Sequence, residues 1–207
     1  MDQNTRDVLR SVLEAFNSFS YISPEDVPDI PLYMDQITSF MDAKLARCKR
    51  YPDDKILTKT MINNYTKNRL IPPPDKKKYS KDHLLLLIYV YYLKDFLQIS
   101  DIKTLLSPLT EKYFSSGSEE TDRTLHSIYE SAFQLVRGQT GDMAKDLMRS
   151  WRKATGAFPD ADSEDEQYLH IFAFVCLLSF DVYVKKKLIE TVVDEMNGHA
   201  QGEAEET

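Results

Sequence analysis

Residues 57–106 read LTKTMINNYTKNRLIPPPDKKKYSKDHLLLLIYVYYLKDFLQISDIKTLL, and the rest of the chain is organised around them. The stretch has three parts. A short polar helix begins after Thr58 and ends between Tyr65 and Arg69. A turn at Pro72-Pro73-Pro74 leads into the basic run Lys76-Lys77-Lys78-Tyr79, and a long apolar helix begins near Asp82. Thr58 stands where an N-cap belongs, with a hydroxyl that can accept from the unpaired N–H groups of the first turn. Met61, Ile62 and Tyr65 recur at helical spacing and define an apolar face. Lys59, Asn63 and Lys67 fall on the other side, with Asn64 near the border. Pro72 biases Ile71 out of the helical region, so the helix must stop before it. An exposed face of Asn and Lys beside a basic loop suits a helix entering a DNA major groove, where Asn reads adenine bidentately and Lys reaches guanine or phosphate.

The charge distribution sharpens this expectation. The chain as a whole carries −7, which argues against a generic nucleic-acid binder. Between Lys44 and Lys81, however, twelve Lys and Arg face only Asp53, Asp54 and Asp75, a local excess of +9 against −16 for the remainder. A basic module within an acidic chain is an electrostatic footprint, and the acidic remainder keeps the rest of the molecule off DNA. Solvated lysine loops would give the same count.

Working outward, Val8, Leu9, Val12, Leu13, Phe16 and Phe19 form an amphipathic stripe from Gln3 to Ser20. Pro24, Pro28 and Pro31 make residues 21–32 an extended linker. A helix follows from Tyr33 to Arg47, with Met34, Ile37, Phe40, Met41 and Leu45 inward; it would be the first helix of a helix-turn-helix. The connection from Cys48 to Leu57 is longer than the usual tight turn. Leu84–Leu93 is too short a run to span a membrane and reads as a buried helix. Ser100 is placed to cap the next helix, and Ser115-Ser116-Gly117-Ser118 marks a domain boundary.

Beyond it, three further helices are expected: one ending at Gly138, one from Ala144 to Gly156, and one from Tyr168 to Val184. The last is apolar almost all round, so it should be the central helix of this half, though short of a membrane span. An acidic loop covers Ala157–Glu166, and Lys185-Lys186-Lys187 marks the exit to solvent. The apolar helix needs neighbours on every side, which a second subunit can supply. Phe133, Trp151 and Phe172 are placed to line an effector pocket, with a filled core as the more ordinary use of such residues.

Nothing points to catalysis, a metal or a cofactor. His83, His126, His170 and His199 show no metal-ligand spacing with each other or with Cys48 and Cys176. The two cysteines show no pairing pattern, and MDQNTRDVLR lacks the features of a signal peptide, so a reduced cytoplasmic chain is expected.

The stretch also resembles the DNA-binding domain of the MerR family of bacterial transcription regulators. Met61-Ile62-Asn63-Asn64-Tyr65 matches its T-L-R-Y-Y, Leu70-Ile71-Pro72 its L-L-x-P, Lys77-Lys78-Tyr79 the R-x-Y of its wing, and Ile99–Leu106 its closing S-L-x-x-I-x-x-L. The likeness covers about a quarter of the chain. It departs from the pattern where Arg69 replaces a glycine, where Asn63 and Asn64 replace an arginine and a tyrosine, and in a shorter wing without glycine. The whole chain also looks like a group of bacterial proteins catalogued only as a domain of unknown function.

The expectation is therefore an all-α protein of seven or eight helices, with at most a two-strand wing at Ile71–Tyr79. Residues 1–32 would be an N-terminal helix and linker, 33–114 a MerR-like helix-turn-helix domain, 119–198 a C-terminal helical bundle and 199–207 a disordered acidic tail. The resemblance and the exposed residues together imply a regulator that binds double-stranded DNA through Thr58, Lys59, Asn63, Asn64, Lys67, Lys76, Lys77, Lys78 and Tyr79. The C-terminal half would serve a homodimer or a small-molecule effector. The alternative is a helical protein-interaction module that has lost DNA.

Overall fold

The computed structural model describes residues 3–18, 21–115, 123–158 and 163–205. Within them lie seven α-helices and two two-residue strands: α1 (Gln3–Ser18), β1 (Leu32–Tyr33), α2 (Met34–Lys44), α3 (Lys59–Lys67), β2 (Lys78–Tyr79), α4 (Lys81–Leu93), α5 (Ile99–Tyr113), α6 (Leu125–Thr155) and α7 (Ser163–Glu205). The chain is thus mostly helical, of the all-α class. It divides into two compact units, Met1–Phe19 with Leu135–Ile189, and Ser20–Gln134 with Glu190–Thr207. The boundary expected at Ser115–Ser118 lies, from Ser116 on, outside the described residues, as do residues 159–162 of the acidic loop.

In the second unit α4 is the hub. His83, Leu84–Ile88 and Val90 are buried, as a ten-residue apolar run without polar alternation demands. Ile37, Met41, Ile62, Tyr65, Ile102 and Leu106 close the core from α2, α3 and α5. The segment 21–32, expected as a linker, is part of this core. Ile22, Pro24, Val27 and Leu32 are buried. The Ile22 backbone is held on both sides, its N–H donating to Tyr92 Oη at 3.1 Å and its carbonyl accepting from Tyr129 Oη at 2.5 Å. Burial pushes the hydroxyls of Tyr89, Tyr92 and Tyr129 up, Tyr89 to about 12. From the C-terminal end Val193 is buried, and Asn197 Oδ1 accepts from Thr104 Oγ1 at 2.8 Å.

Three helix boundaries differ from expectation. The cap of α5 is Gln98, not Ser100, because the Asp101 carboxylate accepts the Gln98 N–H at 3.2 Å and starts the helix earlier. α6 does not stop at Gly138 but runs on to Thr155. A glycine ends a helix by entering the left-handed region, and no described glycine has a positive φ; within a helix it costs only about 1 kcal/mol. α7 continues through Lys185-Lys186-Lys187 to Glu205, since lysine is a good helix former. Its segment Asp165–Gly198 is therefore long and apolar enough to cross a membrane, by length and composition alone.

The first unit is built on α1, the later part of α6 and the earlier part of α7. Trp151, Ala154 and Phe174 form its buried cluster, with Val8, Leu9, Val12, Leu147 and Leu178 packed against it. The Trp151 ring meets Phe174 edge-on at 4.9 Å. The expectation that α7 would be a central, enclosed helix fails: Ser179–Leu188 is exposed throughout, because among the described residues only one stripe of the helix is packed.

Candidate nucleic-acid interface

α3 forms as its sequence dictates. Thr58 Oγ1 accepts from the Met61 N–H at 3.2 Å, and Ile62 and Tyr65 are buried while Asn63, Asn64 and Lys67 are exposed. The helix ends in a Schellman motif. The Leu70 N–H donates to the Tyr65 carbonyl at 2.8 Å, the Arg69 N–H to Thr66 at 3.0 Å, and Arg69 sits in the left-handed region at φ 56°. The glycine missing from the MerR-like pattern is thus replaced in residue type but not in conformation. The long connection before α3 is also folded. The Asp54 carboxylate accepts the N–H groups of Arg50 and Tyr51 at 3.0 and 2.9 Å, and Ile56 and Leu57 are buried.

The wing is a tight turn. The Lys78 N–H donates to the Asp75 carbonyl at 2.8 Å, and the two residues between, Lys76 and Lys77, have φ of 46° and 66°. Two successive positive φ values are the arrangement of a type I′ hairpin turn, which favours Asn-Gly and is costly for lysine. Such strain gathers where function holds a side chain in place. The wing does not form a longer two-strand hairpin of its own. Its last residues, β2, pair antiparallel with β1, Leu32 opposite Tyr79 and Tyr33 opposite Lys78, which ties it to the start of α2.

His83 fastens the base of the wing. Its Nδ1 accepts from the Ser80 N–H at 3.0 Å, and its Nε2 faces the Pro73 carbonyl at 3.4 Å, partners that assign the proton to Nε2. The ring lies edge-on to Tyr79 and Phe114 at 5.4 and 4.7 Å. Burial holds its pKa below the ordinary histidine value. Tyr79 is itself buried, which raises its hydroxyl pKa while a hydrogen bond to Thr66 pulls the other way.

These elements enclose an open groove of about 610 Å³ lined by Tyr33, Met34, Asp35, Asn63, Thr66, Lys67, Pro74, Lys77 and Tyr79. Of the residues expected to meet DNA, Asn63, Lys67, Lys77 and Tyr79 share it, Tyr79 as its floor. Lys76 stands exposed at the wing tip, and Lys78 lies with its Nζ 5.5 Å over the Tyr33 ring. Lys59 pairs with the exposed Asp35. Thr58 spends its hydroxyl on the cap, and Asn64 is exposed but outside the lining. Sequence reasoning missed Tyr33, Met34 and Asp35, which reach the groove only through the β1–β2 pairing. Thr66 was legible, since it stands three residues from Asn63 on the same helix face.

The residues expected to line an effector pocket, Phe133, Trp151 and Phe172, stand in different settings. Trp151 is buried against Phe174, Phe133 belongs to the other unit, and Phe172 lines an apolar groove of about 440 Å³ with Phe158, Cys176 and Phe180. No cluster of three or more His, Cys, Asp or Glu suited to a metal occurs among the described residues.

Comparison with curated proteins and with solved structures returns no match. A family does match, over residues 22–132, more than half of the chain and the whole of the groove. The chain belongs to the family described as Domain of unknown function (DUF1836).

Proposed function

We propose that this chain is a cytoplasmic, DNA-binding transcription regulator of MerR-like type, with the exposed face of α3 reading base edges and the wing lysines meeting phosphates. The observation that carries the reading is the convergence of Asn63, Lys67 and Lys77, from a helix and a turn, on one open groove. The strained lysine pair at the wing tip and the local charge excess support it. In this reading the C-terminal helices serve dimerisation or effector sensing.

Asp35 favours a second reading. It sits on the groove and neutralises Lys59, which suits a helical module that grips a protein segment instead of DNA. The two readings separate in a salt titration. Duplexes selected from a random library, and scrambled versions of them, are bound by wild type, Asn63→Ala and Lys77→Ala at several salt concentrations. DNA binding predicts that Lys77→Ala weakens all sequences alike and lowers the salt slope by about one unit. Asn63→Ala should cost about 1–3 kcal/mol on the selected sequence and leave the slope nearly unchanged. Absence of DNA affinity at low salt, or silence of both variants, hands the groove to a protein partner.

A further inference from the structure

α7 carries an apolar face that none of the described residues covers. Its buried stripe, His170, Phe174 and the half-buried Leu178, packs toward Trp151. On another side Tyr168, Phe172, Val175, Ser179 and Val182 are exposed, alternating by four and three residues. That 3.5-residue period is the seam of a helix pair, not of a helix lying on a sheet or loop. Tyr168 and Phe172 are 66% and 51% exposed and stack on each other at 6.1 Å; beside the seam Tyr183 is 57% exposed.

The ends of this face differ in charge. Asp165 and Glu166 precede it and Lys185-Lys186-Lys187 follow it. We propose that α7 pairs antiparallel with α7 of a second copy of this chain, about a two-fold axis between Val175 and Cys176. In that register Asp165 of each copy lies opposite Lys186 of the other, Phe172 opposite Ser179, and Tyr168 opposite Tyr183. A parallel pair would set lysines against lysines. The small Ser179 gives the facing Phe172 room.

The area suffices. At roughly 200 Å² per fully exposed aromatic, the three rings with Val175 and Val182 offer on the order of 500 Å² of apolar surface per copy. With about 65% of a homodimer interface apolar, this corresponds to roughly 800 Å² per partner, the size of a standard stable interface. A lipid bilayer is the other candidate cover, since the helix is long and apolar enough. It fits less well: a span would bury the ion pair of Lys185 with Asp181, 2.7 Å apart on the exposed section, and strip Phe174 from Trp151. The pairing does not depend on what the groove beside α3 binds.

The test uses the full chain. Sedimentation at micromolar concentration should show a dimer. In a Cys48→Ser background, a short bismaleimide should link the two copies through Cys176, and Cys176→Ser should abolish the link without dissolving the dimer. Asp165→Lys or Lys186→Glu alone should weaken dimerisation by about tenfold, because each charge reversal acts twice across the axis; the two together should restore it. A monomer overturns the proposal, and flotation of that monomer with phosphatidylcholine–phosphatidylglycerol vesicles would name lipid as the occupant. A dimer that neither links through Cys176 nor responds to the charge reversals also overturns it.

Discussion

Replacing Lys76-Lys77 by Asn-Gly should make the protein more stable and a poorer DNA binder at once. Both lysines hold a left-handed backbone, with φ of 46° and 66°. For a residue with a Cβ that conformation costs roughly 1–2 kcal/mol, whereas Gly adopts it freely and Asn nearly so. Glycine returns about 0.5–1 kcal/mol through the entropy of the unfolded chain. The net gain should be about 1–2 kcal/mol, or a melting temperature higher by roughly 3–6 °C for a chain of this length. On DNA the same change removes two cations at the wing tip. Log K falls by about 0.9 per contact per decade of salt, so the slope should drop by about 1.8 and affinity at 0.1 M by on the order of a hundredfold. Thermal melts and fluorescence titrations of one duplex at four salt concentrations give both quantities. An unchanged melting temperature would refute the strain at the turn, and a stabilised variant with an undiminished salt slope would refute the phosphate contacts.

Arg69→Gly should stabilise the chain by about 0.5–1 kcal/mol in urea unfolding, since it relieves the third left-handed residue of the module without touching the groove lining. Thr58→Ala removes the cap hydroxyl of α3 and should cost about 1 kcal/mol in the same assay. His83 sets a pH dependence. The fold keeps the ring neutral below its ordinary pKa of 6.5, while the unfolded chain protonates there, so stability should fall as pH drops below about 6.5 and continue falling to the depressed folded value. Melting curves of His83→Gln, which cannot titrate, should start lower and lose that slope. Trp151→Ala should cost about 3–5 kcal/mol, measured by chemical denaturation.

What the sequence revealed and what it hid follow from range. Thr58, Met61, Ile62 and Tyr65 define α3 through contacts within a turn or two, so its cap and buried face were readable and the structure agrees. The apolar run at Leu84 announced a buried helix because no other environment suits it. The wing was readable as a basic turn but not as the partner of Leu32, because two-residue strands leave no alternation to detect. Arg69 looked like a departure from the MerR-like pattern; only the backbone angle reveals that it does a glycine's work. In α7, composition led to the expectation of an enclosed helix, but composition cannot say who supplies the cover, and among the described residues only one stripe is packed. Gly138 misled because a glycine inside a helix and one ending it are the same letter.

The interleaved division of the chain sets a schedule for its birth on the ribosome. Neither unit is one continuous piece: α1 is made before the helices near Trp151 and waits for them, and the unit with the groove is joined by residues from Glu190 on. Thr104 meets Asn197 across 93 residues, which at about 5–20 residues per second is a delay of roughly 5–20 s before that contact can form at all. Until then the buried Val193 is missing as well. A chain cut short before residue 190 lacks both Val193 and Asn197 and leaves this unit without its C-terminal segment.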